Sequence, residues 1–403
     1  MPSRIYAVFT EYDKSVFPDA AGAKIHRNNG SSEPGCGRDI STMTEGLPEE
    51  SLGRLRVLYV SALEPDYYGE YRLRALRRLG LGHVAALDLR SYGIPGILGK
   101  LQHRFQMGPE VQRFNRDLLS MTSREDAQVI LFDKSLQAQP GTLRQLRAMG
   151  RLCVDFVIDN PFGPRRDPGW RLYRRTIPEF DLTGVQRDVS LGDYQRAGAR
   201  ETVRIRTSYE PSVHYPPDSG WSDARRDRNV SFIGTPYDDR GSFLTRLWRA
   251  GVPVDISGSR PHWEAALPAD AFAATFRSGE LKGEAYREAI WRSRINLAFV
   301  THSNRDQVAH KSFEIAACSG FLLAERTPEH LACFREDEEA AFFSDFEECH
   351  AKIERYLNDE PARIAIAAAG KRRAQSSGYD NDSVLRRLLS RAAELLAARD
   401  STR

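Results

Sequence analysis

The stretch LRVLYVSA, residues Leu55–Ala62, is a compact run of apolar residues. A run of this kind is typical of a strand that is buried on both faces of a parallel sheet. The next segment, Tyr67–Leu79, carries apolar residues at helical spacing, and the glycines of Gly80–Gly82 end it. A buried strand followed by a helix predicts a right-handed crossover and therefore an α/β fold.

The same alternation of strand and helix continues outward from this unit and then restarts after a break. Before the break, we predict strands at His83–Leu87, Gln128–Phe132, Leu152–Ile158, Leu182–Val185 and Thr202–Arg206, with helices at Pro109–Met121 and Gly141–Met149. After the break, we predict strands at Asn229–Thr235, Val252–Ser257, Ile295–Val300 and Gly320–Ala324, helices at Asp239–Ala250, Glu284–Ser293 and Val308–Cys318, and helical structure from Asp345 to about Ala397 with an interruption at Ser376–Asp382. Two doubly wound sheets are therefore expected.

The break is the proline- and charge-rich stretch Tyr215–Arg228, which has the composition of an interdomain linker. We predict a poorly ordered leader at residues 1–53 with one short strand at Ile5–Phe9, a Rossmann-like domain at 54–215, a linker at 216–228, a second Rossmann-like domain at 229–376 and a C-terminal helix at 377–403. A chain of 403 residues exceeds what one hydrophobic core usually serves. The two domains should face each other across a central cleft, the place where such sheets bind ligands.

Composition excludes several classes of protein. The 58 basic and 55 acidic side chains nearly cancel, and the formal charge of +3 predicts no strong field for nucleic acid or a membrane. No apolar stretch is long enough to span a bilayer, and the first residues lack the apolar core of a signal peptide. The five cysteines have neither zinc-ligand spacing nor a disulfide pattern. These features predict a cytoplasmic protein, and they do not predict its oligomeric state.

The strand that opens the second domain runs directly into Gly234 and Thr235, and Arg240 begins the next helix. A glycine after a strand lets a ligand approach the backbone, and free amide groups at a helix start favour an anion. Arg240 is a candidate for a bidentate phosphate contact. An ordinary connection between a strand and a helix explains the same residues.

A second candidate lies in KSFEIAACSGFLLAE, residues Lys311–Glu325, where a helix meets an apolar strand. Glu314 stands among apolar and small residues, where an unpaired carboxylate is costly. It is suited to accept hydrogen bonds from both hydroxyls of a ribose. The helix start near Ala309–Ser312, with Lys311, is suited to face a diphosphate. A structural salt bridge between Glu314 and Lys311 is the alternative.

The same segment resembles the carboxy-terminal domain of the CgeB-like, spore-protein-type glycosyltransferases, which are related to the group-one GT-B transferases. The family's motif stands here as Lys311, Ser312, Phe313–Ile315, Ala317–Cys318 and Gly320–Leu323. The resemblance extends through ERTPEHLACF, EAAFFSDFEEC and VSFIGT in the second domain and through VDFVIDNPF and SYEPSVHYP in the first. It implies a GT-B fold with an amino-terminal acceptor domain and a carboxy-terminal domain that binds a nucleotide-sugar donor.

The resemblance also assigns roles to individual residues. Glu314 matches the glutamate that binds the nucleotide ribose. Asp306, eight residues earlier, stands where the wider group has a second glutamate, and Lys311 stands where the family has arginine. Asp159 and Asn160 replace paired aspartates at the end of a strand, where Asp159 either faces the acceptor or caps the turn before Pro161.

The remaining candidates are weaker. His302 and His310 flank the donor segment, and a histidine near a leaving diphosphate can donate a proton or hydrogen bond. Tyr67–Tyr68–Gly69 follows the first strand at the position of a loop that lines the cleft in GT-B enzymes, although a helix-entry turn is the more ordinary interpretation. We interpret His214, near the linker, as structural.

The predicted function is transfer of a sugar from a nucleotide-diphosphate donor, such as a UDP-, GDP- or dTDP-sugar, to a sugar, polymer or small-molecule acceptor. The resemblance implies a metal-independent reaction that retains the anomeric configuration, with no tightly bound cofactor. Inversion would require a base from the first domain, for which Asp159 is the first candidate. Two alternatives remain: a GT-B-shaped nucleotide-sugar epimerase and a non-catalytic sugar-nucleotide-binding or spore-coat-type protein.

Overall fold

Two parallel sheets organise the chain into two α/β domains. The structure is a computed structural model, and it describes residues 38–39, 52–163, 168–219 and 221–401. The predicted leader lies outside the described residues except for positions 38–39 and 52–53, and the strand predicted at Ile5–Phe9 lies entirely outside them.

The first domain contains a sheet in the order β1-β7-β6-β5-β4-β2-β3, with every neighbouring pair parallel. Its strands are β1 (Arg38–Asp39), β2 (Arg56–Ser61), β3 (His83–Asp88), β4 (Val129–Asp133), β5 (Leu152–Val157), β6 (Leu182–Val185) and β7 (Thr202–Arg204). Its helices are α1 (Tyr68–Arg78), α2 (Gly96–Phe105), α3 (Pro109–Arg124), α4 (Pro140–Ala148), α5 (Trp170–Thr176) and α6 (Asp188–Arg196), with short 3-10 turns at Leu89–Tyr92 and Ile177–Glu179.

The second domain contains a parallel sheet in the order β10-β9-β8-β11-β12-β13. Its strands are β8 (Arg228–Ile233), β9 (Val254–Ser257), β10 (Phe276–Ser278), β11 (Ser293–Ala298), β12 (Leu322–Glu325) and β13 (Ala341–Phe343). The helices are α7 (Arg240–Arg249), α8 (Arg260–Ala266), α9 (Ala269–Thr275), α10 (Gly283–Trp291), α11 (His310–Ala317), α12 (Pro328–Cys333), α13 (Phe346–Asn358), α14 (Glu360–Ser376) and α15 (Asn381–Asp400), with 3-10 turns at Asp223–Arg225 and His302–Asn304.

The side chains of strand β2 are buried on both faces of the first sheet. Val57 and Tyr59 point into one hydrophobic cluster, and Leu58 and Val60 point into the other. All four side chains are fully buried. Burying an aliphatic side chain of this size contributes about 1.5–3 kcal/mol, so a continuous apolar run favours a central strand over an edge strand.

The last helix, α15, packs against the first domain rather than the second. Leu385, Leu388 and Leu389 belong to the cluster that covers the face of β2 and β4. Two ion pairs accompany this packing, Arg78 Nη2–Asp382 Oδ1 at 2.6 Å and Arg391 Nε–Glu201 Oε1 at 2.5 Å. The C-terminal part of the chain therefore ties the two domains together.

The predicted α/β architecture of two doubly wound domains is confirmed, with strand bounds that differ from the predictions by a few residues. The prediction of unbroken helical structure from Asp345 to Ser376 is wrong at one point. The helical structure is divided at Asp359, whose side chain accepts a hydrogen bond from Ala362 N, and Pro361 occupies the first turn of α14. A proline at this position starts a helix because its missing N–H needs no partner there.

Several short elements have no counterpart among the predictions, namely helices α2, α5, α6, α8, α9 and α12 and strands β10 and β13. Most span fewer than ten residues, too few for a period to be recognised. None of the helices in the described ranges is long and apolar enough to cross a membrane. The four cysteines in those ranges, Cys153, Cys318, Cys333 and Cys349, are buried free thiols.

Candidate functional site

The two domains meet through loops that follow the carboxyl ends of their strands. After β5, Asn160 N donates a hydrogen bond to Asn304 Oδ1 at 3.0 Å, and Asn304 follows β11. At another point of the cleft, Lys282 Nζ lies 2.6 Å from Glu64 Oε1. Contacts between loops at the carboxyl ends of both sheets place the cleft where the fold predicts it.

A polar bridge closes one part of this cleft, and Asp306 is its centre. Arg187, which follows β6, forms an ion pair with Asp306 and donates from Nε to Oδ1 at 2.9 Å. Asn304 Nδ2 donates to the same oxygen at 2.9 Å. Beside them, Asp188 N donates to Gln307 Oε1 at 2.8 Å. The residue that stands where the wider group has its second glutamate is thus engaged by the opposite domain.

Glu314 lies inside the second domain at the bottom of the cleft, with a side chain that is 3% exposed. Tyr286 Oη donates a hydrogen bond to Oε2 at 2.7 Å. The other oxygen, Oε1, lies 3.2 Å from His310 Nε2 and 3.8 Å from His214 Nε2. Glu314 therefore has partners within the protein, and these are Tyr286, His310 and His214 rather than Lys311, which was the alternative partner.

These neighbours determine the charge of Glu314. Burial acts to raise the pKa of Glu314, but the adjacent His310, His214 and Lys311 outweigh it and hold that pKa well below its usual range. Burial lowers the pKa of His214, with Glu314 acting in the opposite direction. Burial and the nearby carboxylate raise the pKa of Tyr286, which keeps its hydroxyl protonated as a donor.

The first domain contributes a cover to this pocket. The ring of Tyr68, the first residue of α1, meets the ring of His310 edge-on with centroids 4.4 Å apart. The His310 Nδ1 atom contacts Thr207 Oγ1, and Tyr71 lies edge-on to His214 at 5.9 Å. The buried group around Glu314 is therefore built from residues of both domains.

Lys311 is the unpaired cation of the site. Its Nζ lies 4.9 Å above the ring of Tyr286, and none of the described residues accepts a hydrogen bond from it or forms an ion pair with it. Burial lowers the pKa of Lys311, with Glu314 acting in the opposite direction. Gly234 is close by, because a Cβ built on that glycine would lie 3.6 Å from Lys311 Cε. A desolvated cation beside a glycine turn and at a helix start favours binding of an anion.

Arg240 has a different environment beside the same turn. Its guanidinium donates to the carbonyls of Thr235 at 3.1 Å and Val300 at 3.0 Å and to Thr301 Oγ1 at 2.9 Å. The side chain is buried, and burial lowers its pKa. Arg240 therefore fixes the loops after β8 and β11, and its two terminal nitrogens already have acceptors in the chain.

Ser312 points away from the cleft. Its Oγ lies 2.9 Å from Nε2 of His330, which is fully buried. Burial lowers the pKa of His330 to about 4, so this ring is neutral near neutral pH. This contact between Ser312 and His330 holds the start of α11 against α12. It therefore also fixes the position of the adjacent Lys311 on the helix.

The two predicted catalytic residues lie outside the Glu314 pocket and pair with other side chains. His302 is 63% exposed, and its Nε2 lies 2.7 Å from Glu325 Oε1. The hydrogen bond to Glu325 raises the pKa of His302. Asp159, at the end of β5, forms an ion pair with Lys134 at 2.5 Å.

Sequence reasoning missed the contributions of Tyr286, Arg187 and Asn304 and interpreted His214 as structural. Tyr286 lies on α10 and meets Glu314 only through packing, so its position 28 residues away gives no local signal. For Tyr68 the sequence did give a signal, because Tyr67–Tyr68–Gly69 follows the first strand at the position of a loop that lines the cleft in GT-B enzymes. No three His, Cys, Asp or Glu side chains lie close enough to hold a metal ion in the described part of the chain.

The arrangement of two Rossmann-like domains with facing carboxyl edges is the GT-B fold. Sucrose-phosphate synthase from Thermosynechococcus elongatus is similar to the chain, with a TM-score of 0.63, 13% identity, and coverage of 86% of this chain and 100% of that one. A HepE structure from Anabaena in complex with UDP-glucose has a TM-score of 0.57 at 12% identity, covering 85% and 100% of the two chains. For a glycosyltransferase from Rickettsia africae the TM-score is 0.58 at 10% identity, with coverages of 85% and 99%.

Residues 240–390 match the family model described as glycosyl transferase-like. This segment contains Arg240, Lys311 and Glu314, so the match includes these three candidate residues. No curated protein sequence matches the chain. The chain thus has the GT-B fold, and its second domain carries the glycosyl transferase-like segment.

Proposed function

We propose that the protein is a glycosyltransferase that moves a sugar from a nucleotide-diphosphate donor to a hydroxyl or amine acceptor. The observation that carries this proposal is the placement of Lys311 and Glu314 on α11, beside the Gly234 turn, within the glycosyl transferase-like segment. An unpaired cation and a charged carboxylate one helical turn apart match the diphosphate and ribose of one nucleotide. The proposal keeps the acceptor domain at residues 54–215 and the donor domain at 229–376.

In this proposal, the diphosphate binds at the start of α11, where Lys311 neutralises it. Charge builds up on the leaving diphosphate as the glycosidic bond breaks, and a pre-positioned cation and amide groups stabilise that charge without reorganisation. Thr235 and Gly234 let the phosphates approach the backbone. Arg240 acts by holding these loops in place.

Glu314 binds the ribose hydroxyls. Its side chain is only 3% exposed in the described conformation, so the donor must displace part of the cover made by Tyr68 and His310. Each carboxylate oxygen can accept more than one hydrogen bond, so Tyr286 can keep its contact with Oε2 while the ribose is bound. His310 then changes partner from Glu314 to the donor.

We place the acceptor against the first domain, near Asp159 at the end of β5. His302, whose pKa is raised by Glu325, donates a hydrogen bond to the leaving diphosphate. We propose a metal-independent reaction that retains the anomeric configuration, in keeping with the resemblance to the CgeB-like family. If the configuration is inverted, Asp159 is the general base.

Uridine diphosphate sugars are the first donors to test, since HepE is described in complex with UDP and with UDP-glucose. The purified protein is incubated with a panel of UDP-, GDP- and dTDP-sugars and a cell extract as the source of acceptor. Release of nucleoside diphosphate together with labelling of an acceptor is the expected result. Isomerisation of the sugar without an acceptor would instead identify an epimerase, and binding without turnover would identify a non-catalytic protein.

A further inference from the structure

Helix α2 turns its apolar side outward and buries only a glycine and a glutamine. Its side chains Ile97, Leu98, Leu101 and Phe105 are 75%, 63%, 45% and 55% exposed, whereas its buried residues are Gly99 and Gln102. A surface helix of a globular domain normally shows the opposite arrangement, with its apolar stripe against the core. The inversion means that the apolar face of α2 is not used in folding this domain.

The inverted orientation is fixed by specific contacts. A Cβ on Gly99 would lie 1.8 Å from the carbonyl oxygen of Ile94, so this side of the helix approaches backbone too closely for any other residue. Gln102 Nε2 donates to the carbonyl of Tyr92 at 3.0 Å. The helix ends at Gln106, in the left-handed conformation, whose N donates to the Gln102 carbonyl at 2.7 Å. Rotating the helix to bury its leucines would break these contacts.

The exposed apolar residues form one stripe. At about 100° per residue, positions 97, 98, 101 and 105 fall within an arc of about 100° on the helix. Met107, just beyond the helix, is 69% exposed. These five residues are five of the eleven large hydrophobic side chains that are exposed in the described ranges, so the surface apolarity is concentrated here. A concentrated apolar patch marks an interaction surface.

The charge around the stripe identifies its partner. Between residues 91 and 109 the chain contains Lys100, Arg104 and His103 but no aspartate or glutamate. On a helical projection, Lys100 and Arg104 lie along one flank of the stripe. An apolar stripe with a basic flank is the pattern of a helix that lies in an anionic membrane interface. The nearly balanced charge of the whole chain conceals this local pattern.

We propose that the face formed by Ile97, Leu98, Leu101 and Phe105 docks onto the surface of an anionic lipid bilayer. The apolar side chains enter the headgroup boundary, and Lys100 and Arg104 contact the lipid phosphates. Docking requires no rearrangement of α2, because these residues already face outward. The proposal does not depend on the transferase activity.

The test is co-sedimentation of the full chain with vesicles of phosphatidylcholine, with and without phosphatidylglycerol. We expect binding to the anionic vesicles, and Leu98→Gln/Leu101→Gln should weaken it about tenfold or more because two apolar contacts with the membrane are lost. The control is Ile364→Gln, which removes an apolar side chain that is 51% exposed on α14 and should leave binding unchanged. Lys100→Gln/Arg104→Gln should weaken binding and reduce its dependence on salt.

Three results would overturn the proposal. The first is an absence of binding to both kinds of vesicle, and the second is equal binding by the wild type and both double variants. The third is a dimer, detected by light scattering, that Leu98→Gln/Leu101→Gln dissociates, since the occupant of the face would then be a second copy. Thermal unfolding followed by circular dichroism verifies that all variants are folded, and the exposed positions make this the expected result.

Discussion

Asp306 and Glu314 are acidic residues eight positions apart, yet they lie in contrasting surroundings. Asp306 is bound by Arg187 of the opposite domain and by Asn304. Glu314 is surrounded by Tyr286, His310 and His214, with the unpaired Lys311 on the same helix. The first carboxylate pairs with an arginine, whereas the second lies against a tyrosine and two histidines. The difference teaches that spacing in a motif does not decide which partners a carboxylate meets, because the packing of the two domains supplies them.

The largest effect in this comparison is expected for Glu314→Ala. We expect UDP binding to weaken about 100-fold, because two ribose hydroxyls lose a charged acceptor and each such hydrogen bond contributes about 1.5 kcal/mol. Calorimetric titration measures the affinity. Glu314→Gln keeps the shape of the side chain and should show an intermediate loss. An unchanged affinity in both variants would remove Glu314 from the donor site.

Asp306 should behave in the opposite way. Asp306→Ala should leave UDP affinity nearly unchanged, while its effect on stability should be coupled to that of Arg187→Ala by about 2 kcal/mol, because the two side chains share a largely buried ion pair. Chemical denaturation of the two single variants and the double variant gives this coupling. Additive effects, or a loss of UDP binding as large as that of Glu314→Ala, would contradict the assignment of Asp306 to the domain bridge.

Lys311→Met tests the contribution of the diphosphate to binding separately from that of the ribose. We expect affinity for UDP to fall about tenfold through loss of a cation near the phosphates, with no change in affinity for uridine. Removing a partly desolvated cation that lacks an acidic partner should not lower the free energy of unfolding.

Lys352→Met is the matched control for that variant. Lys352 Nζ lies 2.6 Å from Glu336 Oε1, so its loss should lower stability slightly and leave UDP affinity unaltered. Equal losses of UDP and uridine affinity in Lys311→Met would instead place Lys311 away from the phosphates.

The smallest expected effect is a shift in the pH at which His302 titrates. The pKa of His302 is raised by its hydrogen bond to Glu325, so the protonated ring is favoured in the folded protein. The stabilisation is therefore present below the ordinary histidine pKa and is lost as pH rises through the raised value. NMR titration should give a midpoint above that of an ordinary histidine in the wild type and an ordinary midpoint in Glu325→Gln. Identical midpoints in the wild type and Glu325→Gln would contradict the hydrogen bond between His302 and Glu325.

Much of the fold could be predicted because its strands carry a signal in their own residues. The runs at β2, β8 and β12 are apolar because both faces of each sheet are covered, and this requirement acts on consecutive positions. Helix α2 gave no such signal. Its apolar residues face solvent and its inner face is formed by Gly99 and Gln102, so the usual rule that apolar residues point inward fails there.

The candidate site could be predicted only in part. Lys311, Glu314 and Gly234 were recognisable because a charged residue in an apolar setting and a glycine after a strand are local oddities. Tyr286, His214 and Tyr68 could not be tied to them, because they come from three other parts of the chain and two of them, His214 and Tyr68, from the other domain. Arg240 was recognisable as a cation, but its carbonyl partners after β11 were not.

The sequence by itself determined the alternation of strand and helix, the two doubly wound sheets and the position of α11, since these follow from burial patterns along short stretches of chain, and the GT-B type was implied by the family resemblance. Only the tertiary structure decided which charges are paired. Arg240 and Asp306 have partners 60 and 119 positions away, respectively, whereas Lys311 has none among the described residues. The physical reason is that the strength of an ion pair or a hydrogen bond depends on distance and burial in space, and neither quantity is encoded in local spacing.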